Sequence, residues 1–191
     1  MKTGRRHRKS IYFLSDNLLL EIFRLCRPVE PVLSDEDGVD HNRTPGRNWN
    51  NYRWWYNIAH VCPRWRNLVL DSAPLVELYH LCTYGTPVAE MLATPPLLPI
   101  IIDYSDKNSE VTAKDEEGIQ LALRRRRRIR RIQLRAPASN LRKLVVALNG
   151  EFPMLEYLYI SLTDDENLVL PDEFKAPHLC QFSLTNIPFR E

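Results

Sequence analysis

The chain has 191 residues, of which 44% are hydrophobic and 26% are charged, proportions that are ordinary for globular proteins and exclude a wholly disordered chain. Its 26 basic and 24 acidic side chains give a net charge of +2, which argues against a surface that binds nucleic acid or anionic lipid over its whole extent. No run of about 18 apolar residues predicts a membrane span, and no apolar stretch behind the basic N-terminus predicts a secretory signal. The sequence therefore predicts a cytoplasmic or nuclear protein.

The cysteine and histidine residues show no pattern that predicts a metal site or a catalytic site. Cys26, Cys62, Cys82 and Cys180 are scattered without a C-x-x-C pair, so we expect neither zinc nor a disulfide framework. The histidines are isolated, and the chain has no glycine-rich phosphate loop and no nucleophile motif. We therefore predict that the protein is not an enzyme, needs no cofactor and works in a reducing compartment.

The N-terminal region predicts a tail followed by a helix. Residues 1–10 are rich in basic side chains, and we interpret them as a basic flexible tail. From Leu14 to Cys26 apolar residues dominate, which predicts a helix. Ser15 is a suitable N-cap because its hydroxyl can accept from a free backbone N–H, and Pro28 would end the helix.

Apolar residues surround most of this predicted helix, whereas a helix that packs on one core needs only an apolar stripe. In a small module with little interior, one side can pack on the following helices, and the other must meet another protein or a neighbouring domain. The pattern alone leaves open the alternative of a helix that is buried on all sides.

A polar segment, residues 28–53, separates this helix from a second apolar region. Its proline, glycine, asparagine and aspartate content predicts a long flexible loop. Beyond it, apolar residues recur at helical spacing on both sides of Pro63. We therefore predict two short helices, with Pro63 in the first turn of the second, where its missing N–H costs nothing. Trp65 is interpreted either as a core aromatic or as an interface residue.

The two apolar regions together resemble an F-box. Residues 14–23 read LSDNLLLEIF and residues 58–70 read IAHVCPRWRNLVL. The usual form of that family is L-P-x-E-L-L-x-x-I-F followed, after a gap, by A-x-V-C-x-x-W-x-x-L. Ser15, Asn17 and Pro63 differ from the residues usual in the family. The resemblance implies a three-helix module that binds the Skp-type adaptor of cullin-type ubiquitin ligases.

The resemblance also implies which side chains would contact the adaptor. The candidates are Leu14, Ser15, Leu18, Leu19, Ile22, Phe23, Val61, Cys62, Trp65 and Leu68. Through the adaptor the chain would reach a cullin, and it would contribute no catalytic residue of its own.

Beyond residue 75 one apolar motif recurs. Its members are Ile129-x-x-Ile132-x-Leu134, Leu155-x-x-Leu158-x-Ile160 and Leu179-x-x-Phe182-x-Leu184. Their starts lie 26 and 24 residues apart, within the range of leucine-rich repeats, in which each unit combines a strand with a helix. We interpret Leu97-x-x-Ile100-x-Ile102 as a more irregular earlier member.

Helices are predicted between these motifs. The first would begin at Thr86 and Pro87 and run through Leu92. The second would begin with a capping box of Thr112 and Asp115 and face inward with Ile119, Ala122 and Leu123. The third would begin with a cap at Ser139 or Asn140, end at Gly150, and face inward with Leu141, Leu144, Val145 and Leu148. The predicted fold is therefore an α+β or α/β repeat, with a three-helix F-box over residues 11–72 and leucine-rich-repeat-like strand–helix units over residues 73–191. Because no polar capping unit follows the last motif, we expect the array either to be shortened or to have its end covered by a partner.

A run of arginines from Arg124 to Arg128, continued by Arg130 and Arg131, has three interpretations. The first is structural, because acidic residues start the predicted helix and the arginines end it, as a helix dipole favours. The others are a nuclear import signal and a nucleic-acid site. No aromatic residue is interleaved with the run to stack on bases.

The side chains between the buried strand positions predict a target-binding face, because alternate residues of a strand point to opposite sides of a sheet. They are Arg131, Gln133, Arg135, Tyr157, Tyr159, Gln181 and Ser183. Tyrosine and arginine often anchor protein interfaces. The alternative is that these are ordinary exposed strand positions.

The segments CTYGTPV, DEEG and FPMLEYLYI extend the resemblance to a group of fungal F-box proteins over nearly the whole chain. The resemblance implies a substrate-recruiting adaptor of a cullin-type (SCF) ubiquitin ligase that binds an unknown target protein. The alternatives are a protein-binding repeat scaffold without a ligase role, and a nucleic-acid-associated protein that uses the arginine run.

Overall fold

The computed structural model of the chain describes residues 11–28, 50–73, 78–93, 95, 97–164 and 168–185. The chain divides into two compact units, residues 1–78 and residues 79–191. We call them the helical unit and the sheet unit. The predicted basic tail lies outside the described residues, and so does most of the predicted loop. The described end of that loop, residues 50–53, is helical, so the predicted loop boundary at residue 53 is wrong.

The described part of the helical unit contains three α-helices. They are α1 (Asp16–Leu25), α2 (Asn50–Ala59) and α3 (Pro63–Asp71), with a short 3-10 turn at Ile11–Phe13 before α1. Ser15 caps α1 as predicted, because its side chain accepts a hydrogen bond from the Leu18 N–H. The prediction that Pro63 begins the second short helix is also confirmed.

The interior of the helical unit is built from aromatic and aliphatic side chains of all three helices. Phe23 of α1 is buried and meets Trp65 of α3 edge to face, with ring centroids 5.1 Å apart. Arg64 fastens α3 to the start of α1, because its Nη2 donates to the Leu14 carbonyl and to Asp16 Oδ1, both at 2.6 Å. These contacts fix which side of α1 faces inward.

The sheet unit is a five-stranded, wholly parallel sheet whose strands lie side by side in chain order. Its strands are β1 (His80–Cys82), β2 (Ile100–Tyr104), β3 (Ile129–Ala136), β4 (Tyr157–Leu162) and β5 (Gln181–Thr185), and its helices are α4 (Val88–Ala93), α5 (Ala113–Leu123) and α6 (Ala138–Val146). One helix therefore follows each of the first three strands. The connection from β4 to β5 has no helix among its described residues. The sheet unit is thus a mixed helix-and-strand fold, as predicted in its coarse class.

One face of the sheet packs against the helices and forms the core. Ile102, Ile132, Leu158 and Ile160 are buried there in one cluster with inward-facing residues of α4, α5 and α6. The predicted inward faces of two helices are confirmed. Their residues Ile119, Ala122, Leu123, Leu141, Leu144, Val145 and Leu148 are all buried.

Strand register agrees with the predicted motifs in three strands and differs in one. Ile132 pairs with Leu158, and Leu158 pairs with Phe182, so the same motif position recurs across β3, β4 and β5. In β2 the partner of Ile132 is Ile102, not the predicted Ile100, so the predicted motif is displaced by two residues along this strand. Because side chains alternate with a period of two, a shift of two residues keeps the same side chains on the core face. The apolar pattern of the sequence therefore does not distinguish the two registers.

The helix starts of the sheet unit combine local and distant caps. The predicted capping box of Thr112 and Asp115 is present at α5. The predicted cap of α6 at Ser139 or Asn140 is wrong: the N-cap is Pro137, and both carboxylate oxygens of Asp164 accept from the Ala138 N–H at 3.0 and 3.1 Å. Because β4 lies beside β3, the residues that follow β4 reach the start of α6.

Cys82 on β1 provides a test of the sheet core, because burial raises the pKa of its thiol from 9.0 to about 12. The folded state therefore holds this proton more tightly than the unfolded chain, so the associated stability is complete below about pH 9 and is lost as the pH rises toward 12. We expect iodoacetamide at pH 8 to alkylate the exposed Cys26 and Cys180 in the native protein, and Cys82 only after unfolding. If Cys82 in the native protein were alkylated as fast as Cys26, Cys82 would not be buried in the core of the sheet unit.

Candidate interaction surfaces

An apolar stripe on α1 faces away from the interior of the helical unit. Leu18, Ile22 and Leu25 are 55%, 37% and 78% exposed, respectively. Their spacing of four and then three residues places them on one side of a helix. We call these three residues the α1 stripe. Helix α1 is therefore apolar on two sides, and one of them has no cover within the described part of its unit.

Further large apolar side chains are exposed in the same unit. Ile11 and Phe13 stand in the turn directly before α1, and Val61 stands between α2 and α3. Exposed apolar surface gains free energy when a partner removes it from water, so patches of it often mark interaction sites in proteins. The exposed apolar side chains of the helical unit are therefore a candidate interaction surface.

The structure divides the ten predicted adaptor-facing residues into three groups. Leu18, Ile22, Val61 and Ser15 are exposed; Leu14, Cys62, Trp65 and Leu68 are partly buried; Leu19 and Phe23 are buried. The last two therefore do not supply the exposed surface that the prediction required. Phe23 packs on Trp65 instead. Leu25 of α1 is exposed but was not among the predicted residues, because in a helix that is apolar all round the sequence does not show which side faces inward.

The sheet unit has a second candidate surface on the face of the sheet opposite the core helices. Alternation along the strands and the parallel register bring the predicted target-binding residues into rows across β3, β4 and β5. The rows are Arg131, Tyr157 and Gln181; then Gln133, Tyr159 and Ser183; then Arg135, Ser161 and Thr185. We call these rows the polar sheet face.

The polar sheet face is open toward β5 and closed toward β2. Gln181 and Ser183 are exposed, and Arg131, Arg135, Tyr157 and Tyr159 are partly exposed. Gln133 is only 2% exposed, so the expectation of an open side chain is wrong at this position. Its amide lies near Ser105, whose hydroxyl also bonds to the fully buried Asp103 at 2.6 Å. The accessible part therefore combines tyrosine, arginine and small polar side chains.

The arginine run lies between the end of α5 and the first residues of β3, where Arg130 pairs with Glu156. Of the five arginines from Arg124 to Arg128, two have structural roles. Arg128 donates from Nε and Nη2 to the Leu98 carbonyl at 2.9 and 2.7 Å. Burial, and next the charge of Arg125, lower the pKa of Arg128. The Arg126 guanidinium lies over the Phe152 ring, 5.7 Å from its centroid. Arg126 and Arg128 therefore have contacts within the fold, whereas Arg124, Arg125 and Arg127 are exposed. The interpretation of the run as a complement to the helix dipole stays a prediction.

The described residues contain neither a cluster suited to a metal ion nor a helix suited to crossing a membrane. No group of three or more His, Cys, Asp or Glu side chains in the described ranges could hold a metal ion. None of the helices in that part of the chain is both long and apolar enough to cross a bilayer. Comparison with protein-family models, with curated proteins and with solved structures finds no match to this chain.

Proposed function

We propose that the chain is a substrate-recruiting subunit of a cullin-type ubiquitin ligase. In this proposal the helical unit is an F-box that docks on a Skp-type adaptor, and the sheet unit is a short leucine-rich-repeat-like platform that holds a target protein. The observation that carries the proposal is the α1 stripe. The stripe is exposed, and two of its residues, Leu18 and Ile22, lie within the segment 14–23 whose sequence resembles the F-box, while Leu25 follows two positions later.

The magnitude of apolar burial supports docking through this helix. Removing one leucine or isoleucine side chain from water contributes about 1.5–3 kcal/mol when the burial is complete. The α1 stripe, with Phe13 and Val61 exposed in the same unit, therefore offers several kcal/mol to a partner with an apolar groove. An amphipathic helix that binds in an apolar groove is a common mode of recognition. Its anchoring side chains often lie at positions i, i+4 and i+7, which is the spacing of Leu18, Ile22 and Leu25.

The arrangement of the sheet unit supports a repeat platform. Parallel strands in chain order, with helices packed on one face, are typical of repeats that stack on their neighbours. Toward β5 the opposite face is accessible, and its partly exposed Tyr157, Tyr159 and Arg135 are of the types that anchor interfaces. The polar sheet face is thus the proposed target-binding surface.

The proposed role requires no catalytic residue in this chain. A recruiting subunit acts by raising the effective concentration of its target beside the enzyme that carries ubiquitin. In the proposal the chain therefore has no enzymatic activity of its own. Its exposed thiols at Cys26 and Cys180, which form no disulfide, suit the reducing cytoplasm or nucleus.

Co-purification with the Skp-type adaptor tests the proposal. We expect the full chain to retain co-expressed adaptor, and the variant Leu18→Asp/Ile22→Asp to lose it, because docking would bury two carboxylates without partners. The loss in affinity is expected to be roughly 100-fold or more, since each buried unpaired charge costs several kcal/mol.

A matched control introduces the same change on other exposed apolar side chains. Leu121 on α5 and Val146 on α6 are exposed in the sheet unit, so Leu121→Asp/Val146→Asp should retain the adaptor at the wild-type level. If wild-type chain fails to retain the adaptor, or if both variants lose it equally, the α1 stripe is not the docking surface. A folded chain that binds a target but no adaptor would favour a scaffold without a ligase role.

A further inference from the structure

A cavity bounded by the five arginines from Arg124 to Arg128 opens on the sheet unit. It has a volume of about 720 Å³ and is lined by Arg124, Arg125, Arg126, Arg127 and Arg128 together with Glu151 and Pro153. This volume is within the usual range of small-molecule sites. We call it the arginine cavity. It belongs to neither of the surfaces used in the proposed function.

The positive charge of the arginine cavity is not balanced by the groups that line it. Five guanidinium groups face one carboxylate, that of Glu151. The C-terminal end of α5 adds only about half a negative charge, which leaves an excess of roughly +3.5. Within the described ranges, no carboxylate pairs with Arg124, Arg125 or Arg127. Neutralising the negative end of α5 would need only about half a positive charge, so the helix dipole does not account for five arginines.

Two internal contacts give the cavity a fixed wall. Arg128 is held by the Leu98 carbonyl, and Arg126 is held over the Phe152 ring. Gly150 has a φ of +120°, and a Cβ there would lie 2.1 Å from Arg126 Nη1, so glycine leaves the space that Arg126 occupies. Arginine side chains that are already positioned lose less entropy when they bind a ligand.

Several guanidinium groups around one concave site are chemically suited to phosphate. Each guanidinium can donate two parallel hydrogen bonds to a phosphate, and the bonds are strengthened by the opposite charges. A ligand with a single phosphate would neutralise only part of the excess charge, whereas one with several phosphates would match it. A nucleic acid strand is favoured less, because its usual sites are extended grooves with aromatic side chains for base stacking. Phe152, the aromatic side chain at this wall, is buried beneath Arg126.

We propose that the arginine cavity is a binding site for a small ligand that carries several phosphate groups. Arg126 and Arg128 form its fixed wall, and Arg124, Arg125 and Arg127 supply the remaining donors. The site is independent of adaptor docking, so its failure and the failure of the proposed function can be told apart.

Titration calorimetry of the full chain with inorganic tripolyphosphate tests the site, with orthophosphate as the weak comparison. We expect tripolyphosphate to bind and to raise the melting temperature, because a ligand that binds only the folded state stabilises it. Replacing the exposed arginines in Arg124→Gln/Arg125→Gln/Arg127→Gln should weaken binding roughly 30-fold or more, since each loses charge-assisted hydrogen bonds.

The matched control removes the same charge elsewhere in the sheet unit. Lys107→Gln/Lys114→Gln/Arg142→Gln changes three exposed cations outside the cavity lining and should stay within about threefold of wild type. The variant Arg124→Lys/Arg125→Lys/Arg127→Lys keeps the charge but loses the paired donors, so we expect intermediate affinity. All three variants should melt near the wild-type temperature without ligand and should retain the adaptor.

Three outcomes would overturn the proposal. The first is a wild-type chain that binds tripolyphosphate no more tightly than orthophosphate. The second is an equal loss of affinity in both glutamine variants, which would mean unspecific attraction. The third is a single-stranded RNA of about 10 nucleotides that binds more tightly than tripolyphosphate and loses its binding in the cavity variant, which would make the run a nucleic-acid site.

Discussion

Replacing Phe23 with alanine is expected to lower the free energy of unfolding of the helical unit by about 3–5 kcal/mol. The buried ring packs edge to face on Trp65, and its removal would leave a cavity that three short helices can fill only by shifting. The loss is a large fraction of the stability available to a module of this size. We therefore expect Phe23→Ala to leave the helical unit largely unfolded at 37 °C.

Tryptophan fluorescence during urea unfolding measures this effect in the helical unit alone. All four tryptophans of the chain belong to that unit, namely Trp49, Trp54, Trp55 and Trp65. The control is Leu25→Ala on the same helix, which removes an exposed side chain and should change the unfolding free energy by less than about 0.5 kcal/mol. Equal effects of Phe23→Ala and Leu25→Ala would mean that α1 faces inward on a different side.

Replacing Asp115 with alanine is expected to lower the free energy of unfolding of the sheet unit by about 2–4 kcal/mol. The carboxylate is buried and accepts from the Thr112 hydroxyl at 2.6 Å and from the Thr112 N–H at 3.1 Å. Its other oxygen accepts from the Gly85 N–H at 3.1 Å, across 30 residues of chain. One side chain therefore caps α5 and also holds the turn between β1 and α4.

Alkylation of Cys82 under increasing urea measures this second effect, because the thiol is buried in the core of the sheet unit. The control is Glu117→Ala, which removes an exposed carboxylate from the same helix and should have little effect. An unchanged urea midpoint for Asp115→Ala would show that the cap and the contact with Gly85 contribute nothing. Asp115→Asn should fall between wild type and Asp115→Ala, because an amide oxygen can replace only part of the carboxylate's hydrogen bonds.

Local sequence signals predicted the starts of three helices, α1, α3 and α5. Ser15, Pro63 and the Thr112–Asp115 pair act within one turn of the chain, so neighbouring residues suffice to identify them. The apolar motifs of β3 and β4 were also predictable, because the buried positions Ile132 and Leu134, and Leu158 and Ile160, alternate with partly exposed or polar ones and give a visible period.

Contacts between distant segments were not predictable from local patterns. The cap of α6 comes from Asp164, which follows the next strand, and no spacing rule relates that residue to Ala138. Gln133 is polar, yet it is buried beside Ser105, which directly follows the neighbouring strand β2. The β1 strand has only three residues, too few for a period to be detected.

The candidate surface on α1 illustrates the same limit. The sequence showed that the helix is apolar on more than one side, and two of its predicted adaptor-facing residues, Leu18 and Ile22, lie on the exposed side. It did not separate them from Leu19 and Phe23, because the direction of the core depends on where α3 packs. Trp65 and Arg64 of α3 provide that information, and they lie more than 40 residues along the chain from Leu19 and Phe23.

Calorimetric titration of purified Skp-type adaptor into the full chain tests the central claim most directly. We predict binding of one adaptor to each chain, with affinity reduced roughly 100-fold or more in Leu18→Asp/Ile22→Asp. The tryptophan-monitored unfolding of that variant should match wild type, since both side chains are exposed. A wild-type chain that is folded and yet shows no heat of binding at about 0.1 mM adaptor would contradict the proposed function.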